Sequence, residues 1–324
     1  MQVNYEGAKH VLELAKKIKK LDVYVHVSTT FLNLKAPIEE IVRHPPSSIE
    51  DVQKVIALHS NEPDEIRKLI GPWGNCYTLS KHIGEAHIAS NHGNIPTVIV
   101  RPSMVTSVYK APLAGYTDSW VAGTGLLCDV ASGLTRVVYG NRSIVIEIIP
   151  VDYVCNFMIV AAAKNNRSSK LNVYNISTGN SNPINWGKIT EIYIEEGKKH
   201  GYVIMPFAKV YFTKLQWAIP VLIFLTQIVP AFTADVWLQL TGRKPRYIKL
   251  QKKAIARSEL SSTLTVSSRN IITTRARELL STLDREDRET FPCDPVTIDW
   301  DEYIPIYCKG VKDYMLTSKN DKNK

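Results

Sequence analysis

The feature that most constrains this chain is a short β-branched run ending in hydroxyl residues, Val23-Tyr24-Val25-His26-Val27-Ser28-Thr29-Thr30. An amphipathic segment leads into it. Over residues 3–20, Val3, Ala8, Val11, Leu12, Ala15 and Ile18 fall on one face and lysines on the other, the period of a helix with one buried stripe. A second helix-forming stretch runs from Cys76 to Ala89. A second β-branched run, Thr97-Val98-Ile99-Val100, then closes on Arg101-Pro102-Ser103. Alternation of helix and buried strand predicts a parallel sheet covered by helices. The pattern continues as a strand over 144–149, a helix over 151–164, a strand over 171–176 and a helix from Trp186 to Lys199. With 324 residues, 44% hydrophobic and 22% charged, the chain can bury a full core and hold one large domain with a smaller appendage.

Tyr77 and Lys81 are four residues apart and so share one helix face. A phenol has a pKa near ~10, and an ammonium one turn away favours the phenolate while also reaching a ribose hydroxyl. Such a pair suits proton relay to a carbonyl oxygen while a nicotinamide moves hydride. By spacing alone, an ordinary surface tyrosine and lysine fit equally. The order of a strand ending in hydroxyls, Tyr-x-x-x-Lys on the next helix and a strand running into Arg-Pro is much more specific than any one of its members.

That order resembles the extended short-chain dehydrogenase/reductases. Further stretches resemble, within them, the alcohol-forming fatty acyl-CoA reductases of animals. They include Val3-Asn4-Tyr5-Glu6-Gly7, Tyr77-Thr78-Leu79-Ser80-Lys81 with Glu85, Pro112-Leu113-Ala114-Gly115-Tyr116, Ile149-Pro150-Val151-Asp152-Tyr153, Leu240-Thr241-Gly242-Arg243-Lys244-Pro245 and Ile298-Asp299-Trp300. The likeness extends over essentially the whole chain. It implies NADPH-dependent reduction of a long-chain fatty acyl-CoA to the alcohol. Tyr77 would be proton donor, Lys81 would lower its pKa and hold the ribose, and Thr29 would hydrogen-bond the carbonyl oxygen. Ser28 is the alternative to Thr29, one residue out of register. Cofactor contacts would come from Tyr77, Lys81 and the turn Arg101, Pro102 and Ser103, although Arg101 also reads as a packing residue. A sterol dehydrogenase, a sugar epimerase or a catalytically dead acyl-binding fragment are the competing readings.

The expected fold class is α/β, a Rossmann-like doubly wound parallel sheet with a small helical C-terminal domain. No strand followed by a Gly-rich turn precedes the first helix, and Gly123-Thr124-Gly125 follows no strand. A dinucleotide fold needs such a turn so that pyrophosphate can approach a helix N-terminus. The sheet is therefore expected to be incomplete at its N-terminal side, and this chain is expected to bind NADPH poorly. The expected divisions are residues 1–205 as the partial reductase domain, 206–246 as a membrane-associating segment and 247–324 as the helical C-terminal domain. Residues 33–75 read as a lid insertion with one helix from Ser48 to Ala57 and another beginning at Asn61-Glu62-Pro63-Asp64 and stopped by Gly71-Pro72. Residues 258–268 read as a Ser/Thr-rich linker, with helices after it over 269–283, 285–291 and 300–316.

Net charge is +9, which raises nucleic acid or an anionic membrane as partners. No nucleic-acid module is visible, and the basic residues gather after an apolar stretch. Leu215–Ala234 carries no charge over twenty residues, the length that spans a bilayer. Pro220, Gln227 and Pro230 argue against a simple span, and an interfacial hairpin or a buried helical pair are the alternatives. The basic cluster just after it favours a cytosolic-facing catalytic core on the endoplasmic reticulum or peroxisome. A homo-oligomer is compatible with all of this. Five scattered cysteines read as reduced thiols. Histidines 26, 82, 87 and 92 lack metal-ligand spacing, so no metal is expected. Cys76, beside Tyr77, has no adjacent base to make it a nucleophile.

Overall fold

The computed structural model describes residues 1–32, 37–43, 50, 52–54, 58, 62–70, 75–121 and 123–317. Of the helix expected over 48–57, residues 50 and 52–54 are described and helical, and about half of the 33–75 insertion lies outside the described residues. The helix expected after Asn61 is present as Pro63–Ile70, while its Gly71-Pro72 stop is again outside. The chain divides into two compact units interleaved along the sequence. The first comprises residues 1–103, 153–181 and 269–295, the second 104–152, 182–268 and 296–324.

The first unit is built on three parallel strands in the order Tyr24–Val27, Thr97–Pro102, Asn172–Ile176. Val25 lies opposite Val98, and Ile99 in turn opposite Val173. All six residues of the central strand are buried, as a strand covered on both faces requires. The helix Cys76–Asn91 begins at Asn75, whose side chain accepts the Thr78 amide at 2.9 Å and so satisfies an orphan donor of the first turn. Its Leu79 and Ile83 pack with Tyr5 and Val52. Gly84 allows the closest approach, because a Cβ there would stand 2.5 Å from the Asn4 carbonyl oxygen.

The N-terminal helix is a π turn, Gln2–Glu6, continued by Gly7–Lys17. Its buried stripe is narrower than the sequence pattern implies. Tyr5, Leu12 and Ala15 are buried, whereas Val3, Val11 and Ile18 are exposed. Ile18 has already left the helix with extended backbone (ψ 117°), and Val11 falls to one side of the Leu12–Ala15 line. The expected 269–283 helix is also shorter. Ile271 bridges to Ile38, and the helix proper is Thr274–Ser281. Its first-turn amides, Arg275 at 2.5 Å and Ala276 at 3.0 Å, donate to the Glu40 carboxylate, as does Asn175 at 3.0 Å. A buried acid from far along the chain thus does what a local cap usually does. Burial pushes the Glu40 carboxyl up, and the three amides offset this only in part.

The second unit holds three short strand pairs, two parallel and one antiparallel among the described residues. Its helices include Thr124–Ala131, Trp186–Lys199 and Trp300–Gly310. Tyr303 and Tyr307 are fully buried and stack on one another. The Tyr303 hydroxyl donates to the Ser107 carbonyl at 2.9 Å, and Tyr307 meets the Thr124 hydroxyl at 2.5 Å. The stretch 258–268, expected as a linker, completes the helix Tyr247–Leu260 and adds a further turn, Ser262–Thr265. Tertiary bonds explain the difference. The Thr265 hydroxyl donates to the Tyr139 carbonyl at 2.6 Å, and the Trp186 indole donates to the Leu264 carbonyl at 3.0 Å. Most of the uncharged stretch lies within one helix, Ala218–Leu240, of 23 residues, long and apolar enough by composition to cross a membrane.

Candidate active site

Parallel pairing sets the ends of two neighbouring strands of the first unit side by side. Ser28 donates its amide to the Val100 carbonyl at 2.8 Å, and Ser103 donates to Ile176 at 2.9 Å. Ligands of open α/β sheets bind beyond the carboxyl ends of their strands, and that is where Thr29, Tyr77 and Ser103 are found. Tyr77 stands in the first turn of the Cys76–Asn91 helix, and the Thr29 hydroxyl is close enough to its phenol to pull the phenol's pKa down. Thr29 is itself fixed by the Phe31 amide, which donates to its hydroxyl at 3.2 Å. Of Ser28 and Thr29, it is therefore Thr29 that neighbours the phenol.

Lys81, one turn on from Tyr77, donates to the Val27 carbonyl at 3.1 Å. An ammonium has three donors, so two remain for another acceptor. The expected depression of the phenol by Lys81 is not what the structure gives. Burial raises Tyr77, and the Thr29 hydroxyl is what pulls it back. The phenol thus stays protonated, even though half of the residue is exposed (50%). Burial lowers Lys81, with the Glu85 carboxylate opposing.

Ser28 and Ser103 are buried, and neither hydroxyl has a hydrogen-bond partner among the described residues. The Pro102 carbonyl accepts a long bond, 3.4 Å, from the Thr30 hydroxyl. Arg101 is not brought to the site. It is 2% exposed, and its guanidinium is spent on both oxygens of Glu85 and on two carbonyls, Glu39 at 2.7 Å and Ile41 at 2.8 Å. Glu85 stands in the sequence only as part of a motif. Its role, pairing Arg101 and facing Lys81 one turn away, carries no local signal. Asn75 does carry one, as an Asn directly before a helical run.

His26 is the other residue that pattern reading passes over. It is buried under the site, its Nε2 has no partner among the described residues, and burial drives its pKa down to about 4, with Lys81 pushing the same way and Glu85 against. The unfolded chain takes up this proton near pH 6.5 and the folded chain only near 4. Stability from keeping the ring neutral is therefore complete above pH 6.5 and lost as the pH falls towards 4. On going from pH 7 to pH 4 this one group should remove about 3 kcal/mol. Urea unfolding of His26→Leu beside the parent at both pH values reads the difference. A parent whose acid sensitivity equals that of the variant would contradict the assignment.

Comparison with known proteins bears on the family and the fold. Two family models, both described as male sterility protein, match residues 1–158, through its NAD-binding model, and 226–318. Fatty acyl-CoA reductase 1 of Xenopus laevis is 32% identical over 98% of this chain and 63% of its own length. Human fatty acyl-CoA reductase 1 is 29% identical over the same shares. The chain thus spans just under two thirds of these relatives. Among solved structures, the reductase domain of a nonribosomal peptide synthetase from Mycobacterium tuberculosis superposes with a TM-score of 0.55 at 14% identity, over 95% of this chain and 64% of that one. A UDP-glucuronic acid 4-epimerase from Bacillus cereus in complex with NAD gives 0.51 at 15% identity, over 96% and 67%. At such identities the likeness is one of fold. With two models of one description accounting for most of the chain, and homologues along 98% of it, the chain belongs to the male sterility family of reductase-fold proteins and is a homologue of the fatty acyl-CoA reductases.

Proposed function

We propose that these residues form the reacting half of an NADPH-dependent, alcohol-forming fatty acyl-CoA reductase working at a lipid surface. The observations that carry this reading are the half-exposed Tyr77 phenol at the carboxyl edge of a parallel sheet, and Lys81 one turn further on, held to the Val27 carbonyl at 3.1 Å. The residues present fit a nicotinamide nucleotide. The unpartnered hydroxyls of Ser28 and Ser103 are costly when buried and gain partners from a ligand's amide or hydroxyl groups. Lys81 retains two donors for a ribose. When bound, the nicotinamide would supply hydride to the carbonyl carbon.

The chain's own part is to hold and protonate the oxygen. The Tyr77 hydroxyl donates to the carbonyl oxygen as negative charge builds there, and the Thr29 hydroxyl then stabilises the phenolate that is left. Lys81, held to the Val27 carbonyl at 3.1 Å, keeps its other donors for the ribose. Reduction of the thioester releases CoA and an aldehyde. With a second hydride from a second nicotinamide nucleotide, Tyr77, having regained a proton from solvent, would protonate the oxygen again to give the alcohol. The test is consumption of NADPH against NADH with palmitoyl-CoA as substrate, with the products separated by gas chromatography. Hexadecanol formed with NADPH supports the reading. Release of aldehyde without alcohol, or preference for NADH, contradicts it.

A further inference from the structure

The helix Ala218–Leu240 contains a π turn, Phe224–Ile228. This turn decides which side of the helix faces outward. Residues 18 apart complete about five turns of a regular α-helix, so Asp235 would fall on the same side as Trp217. A π turn inserts one extra residue and rotates the rest of the helix by about 100°. With that rotation, Gln227, Ala231, Asp235 and Leu238 all turn inward and are buried. Trp217, Phe224, Phe232, Trp237 and Leu240 turn outward, each more than half exposed, up to 82% at Leu240.

The inward side is stitched down by polar groups within the second unit. The Gln227 amide oxygen accepts the Arg136 and Val137 amides at 2.7 and 3.1 Å. The Asp235 carboxylate accepts the amides of Arg246, Tyr247 and Ile248 at 2.7–2.9 Å, which caps the helix Tyr247–Leu260. A spanning helix would carry this amide and carboxylate into hydrocarbon and strip five backbone amides of their acceptors. Directly after the helix in sequence come Arg243, Lys244, Lys249, Lys252 and Lys253, all exposed, with no acidic residue between Arg243 and Lys253.

We propose that this helix lies flat on an anionic membrane as a monotopic anchor and does not cross it. Trp217, Phe224, Phe232 and Trp237 enter the headgroup–acyl boundary while the adjoining basic residues meet lipid phosphates. The proposal deepens the reading that the reductase works at a lipid surface, and it rests on that reading only for where the substrate comes from. Charge complementarity commits it to a bilayer, because a bare apolar side would suit a second copy of the chain equally well.

The test is sedimentation of the 324-residue chain with phosphatidylcholine vesicles with and without one third phosphatidylserine. Binding is expected to be tighter to the anionic vesicles and released by alkaline carbonate. The pair Phe232→Glu and Trp237→Glu should lose binding to both vesicles by at least about 100-fold. Lys244→Gln, Lys252→Gln and Lys253→Gln should lose only the anionic increment, on the order of fivefold for each charge. A fluorophore on Leu225→Cys, with Cys76 and Cys155 replaced by serine, reports depth at mid-helix. Quenching by a headgroup-proximal probe is the expected result. Quenching by a chain-end probe with resistance to carbonate would mean a span, and would overturn the proposal. So would failure to bind vesicles, or a dimer in solution that Phe232→Glu dissolves. Vesicle binding is read without substrate, so loss of reductase activity with binding intact would count against the proposed function and leave this one standing.

Discussion

Tyr77→Phe should lower turnover by about 10²- to 10⁴-fold, the usual worth of a positioned proton donor, and leave the fold unchanged. The ring keeps its place at the start of the Cys76–Asn91 helix, and what is lost is one hydroxyl on a residue that is half exposed. The KM for acyl-CoA should move little, because the hydroxyl matters most as charge builds on the oxygen. Thr29 supplies the control. Thr29→Val removes the hydroxyl that lowers the phenol's pKa and should cost less than Tyr77→Phe, while Thr29→Ser restores most of the rate. Turnover measured with circular dichroism of each variant separates chemistry from folding. A Tyr77→Phe enzyme at most of the parental rate would remove the phenol from the mechanism.

Arg101→Ala should cost about 3–5 kcal/mol of stability, the range for breaking a buried ion pair from one side. Glu85 is 0% exposed and would be left charged without its partner. The carbonyls of Glu39 and Ile41 would lose their donors as well. Arg101→Lys should recover little, because an ammonium cannot match a fork that reaches both carboxylate oxygens and two carbonyls. The midpoint of urea unfolding checks this. If the variant unfolds within about 1 kcal/mol of the parent, the buried pair is not what holds the 37–43 segment to the sheet.

The same residue marks where sequence reading stops. The strand at 97–102 follows from its β-branched run, and the Tyr77–Lys81 pair from helical spacing, because both depend on local order. The partners of Arg101 lie 16 residues away at Glu85 and about 60 away at Glu39 and Ile41, and no periodic pattern encodes such separations. The same holds for Glu40, which caps a helix 235 residues further on. Ser28 and Thr29 differ by one position and point differently, so their roles needed coordinates. The outward set of the Ala218–Leu240 helix is obscured for another reason, since its π turn breaks the 3.6-residue period that pattern reading assumes.

The central claim is that this site delivers a proton to an acyl carbonyl that is reduced by hydride. It is tested most directly by reducing palmitoyl-CoA with NADPH deuterated at the transferable position, using the longest natural form of the protein that carries these 324 residues. Mass spectrometry of the hexadecanol should find two deuterons at its first carbon with the parent enzyme and at least about 100-fold less of that product with Tyr77→Phe. Alcohol without deuterium, or alcohol formed equally by Tyr77→Phe, would contradict the account.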